Sequence, residues 1–392
     1  MSAVGTQRRA APAAAVPGRR AAFACLFFAT FACLVAVGAL LPVLPRYVHG
    51  PLRSGDVAVG VVIGSYAIAG LLVRPLAGRM ADRRGRKPAL LAGAALCAAS
   101  GLLYLPGLGI AGLIVARLIL GAGEGTLYTA GSSWAIDLAP PGRRGRVLGL
   151  YGLAVWSGFS VGPLAGELLL DVGGYEAVWA FAAAMPAAGA LLVVRAAHPF
   201  RPVEHAEPHP LIAPEALRPG AAIALAALGQ ATVSAFVVLH LEARGVGHGA
   251  SVFAVLAAAI VIARLVLGDL PDRAGAARVA AAAAVVEAVG LALLAVAHGI
   301  GPALLGAVLI GGAFALLPPS LMLLAVDGVA DRARGAVMGT FTACFDAGVG
   351  LGAPLAGLVA FLTDYEGAFL FGAAMSLLGA LISLTLHRRA AA

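Results

Sequence analysis

The chain consists largely of apolar runs long enough to cross a lipid bilayer, and this feature restricts its fold more than any other. Each run holds about 20 residues or more, which is the length that an α-helix needs to span the hydrocarbon core. Hydrophobic residues make up 61% of the 392 residues and charged residues only 12%. Because the bilayer core offers no water to the backbone, such runs must be helical. The sequence therefore predicts an all-α membrane protein.

Twelve segments meet this length, and Gly, Pro and charged residues cluster in the breaks between them. The predicted spans are residues 21–44, 57–78, 88–106, 108–136, 146–170, 176–195, 219–241, 250–268, 276–297, 301–325, 335–362 and 366–386. The first run is longer than the core of a secretory signal peptide, so we interpret it as a transmembrane helix.

The basic residues are distributed unequally between the two sides of these spans. One alternate set of connections carries most of them, whereas the other set carries only Arg46, Arg53 and Arg244. Because cytoplasmic loops retain Lys and Arg, both termini are predicted to be cytoplasmic, in a multi-pass protein of the cell (inner) membrane. The net charge of +8 then reflects topology, and nucleic-acid binding is not expected.

The second half of the chain repeats the first at a fixed offset, which indicates an internal duplication. Matching pairs include Arg74 and Arg264, Gly78 and Gly268, Asp82 and Asp272, Gly85 and Gly275, Gly158 and Gly348, Gly162 and Gly352, and Tyr175 and Tyr365. An even number of spans in each half makes the two copies parallel. We predict two pseudo-symmetric six-helix bundles, and the predicted units are a tail at 1–20, a bundle at 21–197, a cytoplasmic linker at 198–218, a bundle at 219–387 and a tail at 388–392.

The turn after the second span carries a dense motif of glycines and charges. It comprises Gly78, Asp82, Arg83, Gly85, Arg86 and Lys87. Gly78 can let two helices approach closely, Asp82 can accept hydrogen bonds from a facing helix N-terminus, and Gly85 permits a tight turn. The basic residues would serve topology alone, but an acidic residue among them has no topological use.

This motif resembles the signature loop of the major facilitator superfamily position by position. The twelve spans and duplicated halves extend the resemblance over essentially the whole chain. The resemblance implies the fold of that superfamily, transport by alternating access, a monomer, and an inner gate that holds the outward-facing state closed.

The fourth span places Arg117 and Glu124 deep in an apolar helix. Such charges are costly in a bilayer, so they normally face the interior of the helix bundle and belong to a functional site. Seven residues separate them by about 10 Å along the helix axis, so each needs a partner elsewhere. The stretch is similar to the fourth-span motif of the superfamily, which implies a role for Arg117 in proton transfer. For Glu124 the hypothesis is a carboxylate that couples proton to substrate, and the alternative is a structural ion pair.

The fifth span carries a stripe of glycines with one proline, formed by Gly158, Gly162, Pro163 and Gly166. Close packing of helices explains the glycines. The stripe also resembles the superfamily motif that marks exporters exchanging substrate against protons, although Glu167 stands where that motif often has a second glycine.

Two further carboxylates lie within spans. Asp346, in the eleventh, is either a proton or substrate site or the structural partner of Arg117. Glu287, in the ninth, is interpreted as structural.

Several aromatic residues could line a cavity for a flat, apolar or cationic solute, namely Tyr47, Tyr128, Tyr151, Trp156 and Phe345. Interfacial belts or core packing are the alternative for any one of them.

The sequence contains no P-loop, no Ser/His/Asp set and no cluster of metal ligands, so neither an enzyme nor a cofactor is predicted. The favoured function is proton-coupled efflux of a small drug-like or natural-product molecule, with protons and the lipid bilayer as the other partners. The alternatives are a proton symporter that imports a sugar or organic acid, a lipid flippase and, outside transport, a membrane receptor or enzyme.

Overall fold

The computed structural model describes residues 18–140, 143–194, 196, 212–329 and 334–390. The helices of the first half are α1 (Arg19–His49), α2 (Asp56–Arg84), α3 (Arg86–Tyr104), α4 (Gly109–Asp137) and α5 (Arg144–Val194). Those of the second half are α6 (Pro214–Ala243), α7 (Ala250–Leu267), α8 (Leu270–Ala274), α9 (Ala276–Ala295), α10 (Ile300–Val326), α11 (Arg334–Leu362) and α12 (Tyr365–Ala390). Within the described residues, 11 of these helices are long and apolar enough to cross a membrane. The predicted all-α membrane fold is confirmed.

Helix α5 contains two of the predicted spans, 146–170 and 176–195, which explains the difference between eleven helices and twelve spans. Its 51 residues are interrupted at Gly174, where the backbone has φ 65° and ψ −165°. The chain reverses there, because Gly166 packs against Ala39 of α1 whereas Gly189 packs against Ala29 of the same helix. That backbone conformation is essentially restricted to glycine, so Gly174 permits two antiparallel spans with almost no loop between them.

Several helices extend beyond the predicted spans, because their polar ends can continue past the hydrocarbon core as helix. Helix α6 begins at Pro214, inside the predicted linker 198–218, and proline suits a first helical turn because its missing N–H would have no partner there. The rest of that linker lies mostly outside the described residues, as does most of the predicted tail 1–20. The boundaries of the two bundles stay a prediction.

The buried core is divided in a way that follows the two halves of the chain. One cluster of buried side chains draws only on residues between 22 and 196, including Leu34 and Trp134, and a second draws only on residues between 213 and 386, including Ile223 and Phe341. A third cluster contains residues of both halves and joins them. The molecule therefore has a core within each half and a contact region between them.

The two ends of the helix bundle differ in how the halves meet. We call the end that holds the C-terminus of α1 the Arg46 end, and the opposite end, which holds the turn between α2 and α3, the Asp82 end. At the Arg46 end, Arg46 Nε donates to Glu242 Oε1 at 2.5 Å, and the Tyr365 hydroxyl donates to Asp56 Oδ1 at 2.9 Å. Both bonds join the first half to the second.

Backbone packing repeats this contrast. A Cβ built on Gly60 of α2 would lie 2.9 Å from the Cα of Pro354 of α11, so the two helices touch near the Arg46 end. Toward the Asp82 end, no atom of the described residues lies within 4 Å of a Cβ built on Gly149, Gly152 or Gly339. The halves are therefore in contact at the Arg46 end, whereas the space around these three glycines at the Asp82 end is open.

Candidate functional site

An ion pair between the two halves lies at the middle of the bundle. Arg74 of α2 donates through Nε to Asp346 Oδ2 of α11 at 2.6 Å and through Nη2 to Oδ1 at 3.3 Å. Two parallel bonds from one guanidinium fix both the distance and the orientation of the carboxylate. Asp346 is buried, with 4% of its surface exposed, whereas the Arg74 side chain is 22% exposed.

Glu124 of α4 completes this group, because its Oε2 lies 3.9 Å from Arg74 Nη2. The Tyr128 ring lies one helical turn further along α4, with its centroid 5.6 Å from the Arg74 Cζ. We call Arg74, Glu124 and Asp346 the central charge cluster. It contains one cation and two carboxylates, so a single proton bound to either carboxylate balances its charge.

Sequence reasoning placed Glu124 and Asp346 among the functional residues but missed their shared partner. Arg74 enters the sequence analysis only as the repeat counterpart of Arg264. Its position inside an apolar span was the available signal, because an intramembrane cation normally requires a counter-charge.

Arg117 lies apart from this cluster. Its Nε and Nη2 donate to the backbone carbonyls of Val62 and Ile63 at 3.3 and 3.1 Å, and its Cζ lies 4.6 Å from the centroid of the Tyr66 ring. The alternative in which Asp346 is the structural partner of Arg117 is therefore wrong. Arg117 instead joins α4 to α2 through carbonyl groups that have a second lone pair to offer.

The predicted cavity aromatics divide into three places. Trp156 lies 5.7 Å from Phe314, which in turn lies 5.8 Å from Phe345, measured between ring centroids. We call these three residues the aromatic cluster. The guanidinium of Arg264 on α7 lies over it, with its Cζ 6.0 Å from the centroid of Trp156.

The other predicted aromatics do not join this cluster. Tyr128 stays with the central charge cluster, and Tyr151, whose hydroxyl accepts from Thr30 at 3.4 Å, is buried between α1 and α5. Tyr47 packs at the Arg46 end, with its ring 5.4 Å from that of Trp179. Tyr151 remains near the central charge cluster, because its ring lies 6.1 Å from that of Tyr128. Tyr47 lines a separate pocket, together with Tyr104 and Trp179.

The predicted gate motif (Gly78, Asp82, Arg83, Gly85, Arg86 and Lys87) forms a compact turn at the Asp82 end. Gly85 has φ 107°, which supports its predicted role in a tight turn. Arg86 binds the Asp82 carboxylate and lies 3.1 Å from Asp137 Oδ2 at the end of α4. Lys87 donates to the Val194 carbonyl at 2.7 Å. These bonds hold the turn to other elements of its own half.

Two details of the motif differ from prediction. The partner of Asp82 is Arg86 rather than a facing helix N-terminus, and Arg83 is exposed. Among the described residues, a Cβ built on Gly78 would meet only the Thr129 side chain, at 4.0 Å, so none of the described helices approaches this glycine closely.

The glycine stripe of the fifth span packs against α1. A Cβ on Gly158 would lie 2.6 Å from Leu34 Cβ, and one on Gly162 would lie 2.6 Å from the Val35 carbonyl oxygen. Gly166 and Pro163 continue this contact toward Ala39 and Gly38. The stripe therefore brings two helices of the first half together, as the packing interpretation requires.

Glu167, which departs from the exporter motif, belongs to the Arg46 end. Arg46 Nη1 and Nη2 donate to its two carboxylate oxygens at 2.8 and 2.9 Å, while Arg46 Nε binds Glu242. The sequence analysis predicts no partner for either acid.

The described residues contain no group of three or more His, Cys, Asp or Glu side chains that could hold a metal ion. Glu287 is fully buried in α9. It lies outside the central charge cluster, in the packing of the second half.

The sequence and fold match known transporters over nearly their whole length. The family model of the Major Facilitator Superfamily matches residues 26–278 and 220–392. An uncharacterised MFS-type transporter of Salmonella typhimurium is 32% identical over 375 residues, covering 92% of this chain and 95% of the relative. An uncharacterised MFS-type transporter of Pseudomonas aeruginosa is 34% identical, covering 92% of each chain.

Solved structures agree on the fold. The nucleoside transporter NupG has a TM-score of 0.79 at 17% identity, covering 93% of this chain and 99% of NupG. A POT family transporter in complex with a thioalcohol-conjugated peptide has a TM-score of 0.79 at 13% identity, covering 94% of this chain and 96% of that transporter. With family model, relatives and fold in agreement, this chain belongs to the major facilitator superfamily of membrane transporters.

Proposed function

We propose that the protein is a proton-coupled exporter of a small drug-like or natural-product molecule, which it moves by alternating access. The observation that carries this proposal is the position of the central charge cluster. Arg74 and Asp346 join α2 to α11 across the contact between the halves, and Glu124 lies beside them.

A proton changes this contact directly. With both carboxylates ionised, Arg74 is attracted to Asp346 and Glu124 together, and the group is one negative charge in excess. Protonation of either carboxylate weakens its hold on Arg74, and in a site with little water such a change is worth far more than at the surface. Because Asp346 lies on the opposite half from the other two, proton binding alters the attraction between halves that must move relative to each other.

The direction of transport follows from the proposed orientation. If both termini are cytoplasmic, as the distribution of basic residues indicates, the open Asp82 end faces the cytoplasm and the Arg46 end faces outward. Substrate then enters the site from the cytoplasm, and the proton enters when the opposite state opens. The resemblance of the fifth-span stripe to exporter motifs supports the same direction.

The test uses everted membrane vesicles with a preset acid-inside gradient. Proton release is recorded as lipophilic cations, anionic aromatic compounds, antibiotics and sugars are added one at a time. We expect release on addition of a substrate, and Glu124→Gln or Asp346→Asn should reduce it at least tenfold with normal protein abundance.

Glu287→Gln is the matched control, because it removes a buried carboxylate outside the central charge cluster. Its proton release should equal that of the unmodified protein. Equal release from Glu124→Gln, Asp346→Asn and the unmodified protein would contradict the coupling role. Substrate uptake that is equally fast without a proton gradient would contradict proton-coupled transport itself.

A further inference from the structure

The internal repeat relates the central charge cluster to a second site that has the same cation and no carboxylate. Arg264 is the counterpart of Arg74 in the second half. The counterparts of Asp346 and Glu124, at the same offset, are Trp156 and Phe314. The structure keeps this correspondence, because Arg264 lies over Trp156 and Trp156 contacts Phe314. At the two positions where Arg74 has acids, Arg264 has aromatic rings.

Arg264 has no ion-pair partner within the part of the chain that the structure describes: no carboxylate there lies within 4.0 Å of it. Its side chain is exposed, and its Cζ lies 6.0 Å from the centroid of Trp156, which belongs to the other half. The cation therefore lies in the space between the halves, near the central site, with its guanidinium group available.

A guanidinium group in this setting is suited to an anion. Its planar fork donates two parallel hydrogen bonds to a carboxylate, sulfonate or phosphate, and such charge-assisted bonds are stronger than those between neutral groups. The rings of Trp156, Phe314 and Phe345 offer an adjoining apolar surface for a flat body. A cationic solute would meet repulsion from Arg264 at the same place.

We propose that the transported molecule carries an anionic group, bound by Arg264, on an aromatic or apolar body that packs against the aromatic cluster. This assignment rests on the proposed transport function, and it replaces the cationic solute among the ligands that the sequence suggested. The central charge cluster then binds protons while the Arg264 site binds substrate, so the two related sites have different ligands.

The test measures binding alone and needs no proton gradient. Purified full-length protein in detergent is titrated by calorimetry with three probes of similar size, namely naphthalene-2-sulfonate, naphthalene-2-methanol and 2-naphthyltrimethylammonium. We expect the sulfonate to bind at least tenfold more tightly than the alcohol and the ammonium compound to bind most weakly.

Variants assign this preference to one residue. Arg264→Gln should remove the difference in affinity between the sulfonate and the alcohol. Arg264→Lys retains the charge, so it should still bind the sulfonate more tightly than the alcohol. Arg273→Gln is the matched control, because Arg273 is an exposed arginine of the adjacent helix α8, paired with Asp269 at 3.0 Å. It should bind the probes as the unmodified protein does. Arg264→Lys also keeps a cation near the C-terminus of α7, so the stabilisation of this helix through its dipole is the same as in the unmodified protein.

Two results would overturn the assignment. One is an unmodified protein that binds the alcohol or the ammonium compound as tightly as the sulfonate. The other is an undiminished preference for the sulfonate in Arg264→Gln that elutes as a monodisperse peak in size-exclusion chromatography. Neither result depends on proton movement, so the failure of this assignment is distinguishable from failure of the transport proposal.

Discussion

The Arg46 end and the Asp82 end both carry a cation that binds two carboxylates, yet only one of these groups connects the halves. Arg46 binds Glu167 of its own half and Glu242 of the other. Arg86 binds Asp82 and Asp137, which both belong to its own half. The same chemistry therefore closes one end and leaves the other free to open. This comparison predicts how sensitive each end is to substitution.

The largest loss of stability is expected when Arg46 is substituted. Arg46→Ala removes both ion pairs at once and leaves two carboxylates facing each other, so we expect a loss on the order of 2–3 kcal/mol in stability. A lower thermal midpoint in detergent would report it, with Arg20→Ala, an exposed arginine at the other end, as control. An unchanged midpoint would mean that the Arg46 end is held by backbone packing alone.

A smaller loss of stability is expected when a glycine that lies between the halves is replaced by alanine. In Gly60→Ala the added methyl would overlap the Ala353 carbonyl and the backbone of Pro354, and overpacking of this kind typically costs about 1–3 kcal/mol. The matched control is Gly149→Ala, where the surrounding space is open and the helix gains propensity. Thermal unfolding of both variants should separate them. Equal destabilisation would show that the Asp82 end is packed as tightly as the Arg46 end.

The Tyr365 to Asp56 hydrogen bond should contribute less. Tyr365→Phe removes one bond between the halves and keeps the ring that packs on Phe236, so we expect a loss of about 1 kcal/mol. The measurement is again the thermal midpoint, combined with Asp56→Asn in a double-mutant cycle. Strictly additive effects in that cycle would argue against a direct bond.

The smallest effect is expected at Asp137, whose side chain is 51% exposed in its pair with Arg86. Exposed ion pairs contribute about 0–1 kcal/mol, so Asp137→Asn should barely change the thermal midpoint. A midpoint that falls as far as in Arg46→Ala would contradict the contrast between the ends.

The sequence predicts the helices well and their contacts poorly, for a physical reason. Helix positions depend on local hydropathy, and the turn at Gly85 depends on a single residue with positive φ. The contact between Arg74 and Asp346 joins residues that are 272 positions apart, and no local pattern encodes it. The repeat did hold a clue, because Arg74 and Arg264 are equivalent in-span arginines that required an explanation.

Two other features of the structure could not be read from the sequence for the same reason. Tyr47 and Trp156 both lie in apolar runs, and only the three-dimensional packing puts one at the Arg46 end and the other beside Phe314. Gly78 suggested a close helix contact, but which helix faces it depends on how far the halves are apart. Contacts between the halves are the part of the site that sequence reasoning could not supply.

The reversal at Gly174 has a consequence for biosynthesis. Between residues 170 and 177 the chain carries only two charged residues, Asp171 and Glu176. Little polar peptide must then be carried through the bilayer when this pair of spans is inserted. Because residue 174 is a glycine, the backbone there also lacks the strain that a side chain would create. The two spans of α5 are thus suited to enter the membrane together, as one preassembled hairpin.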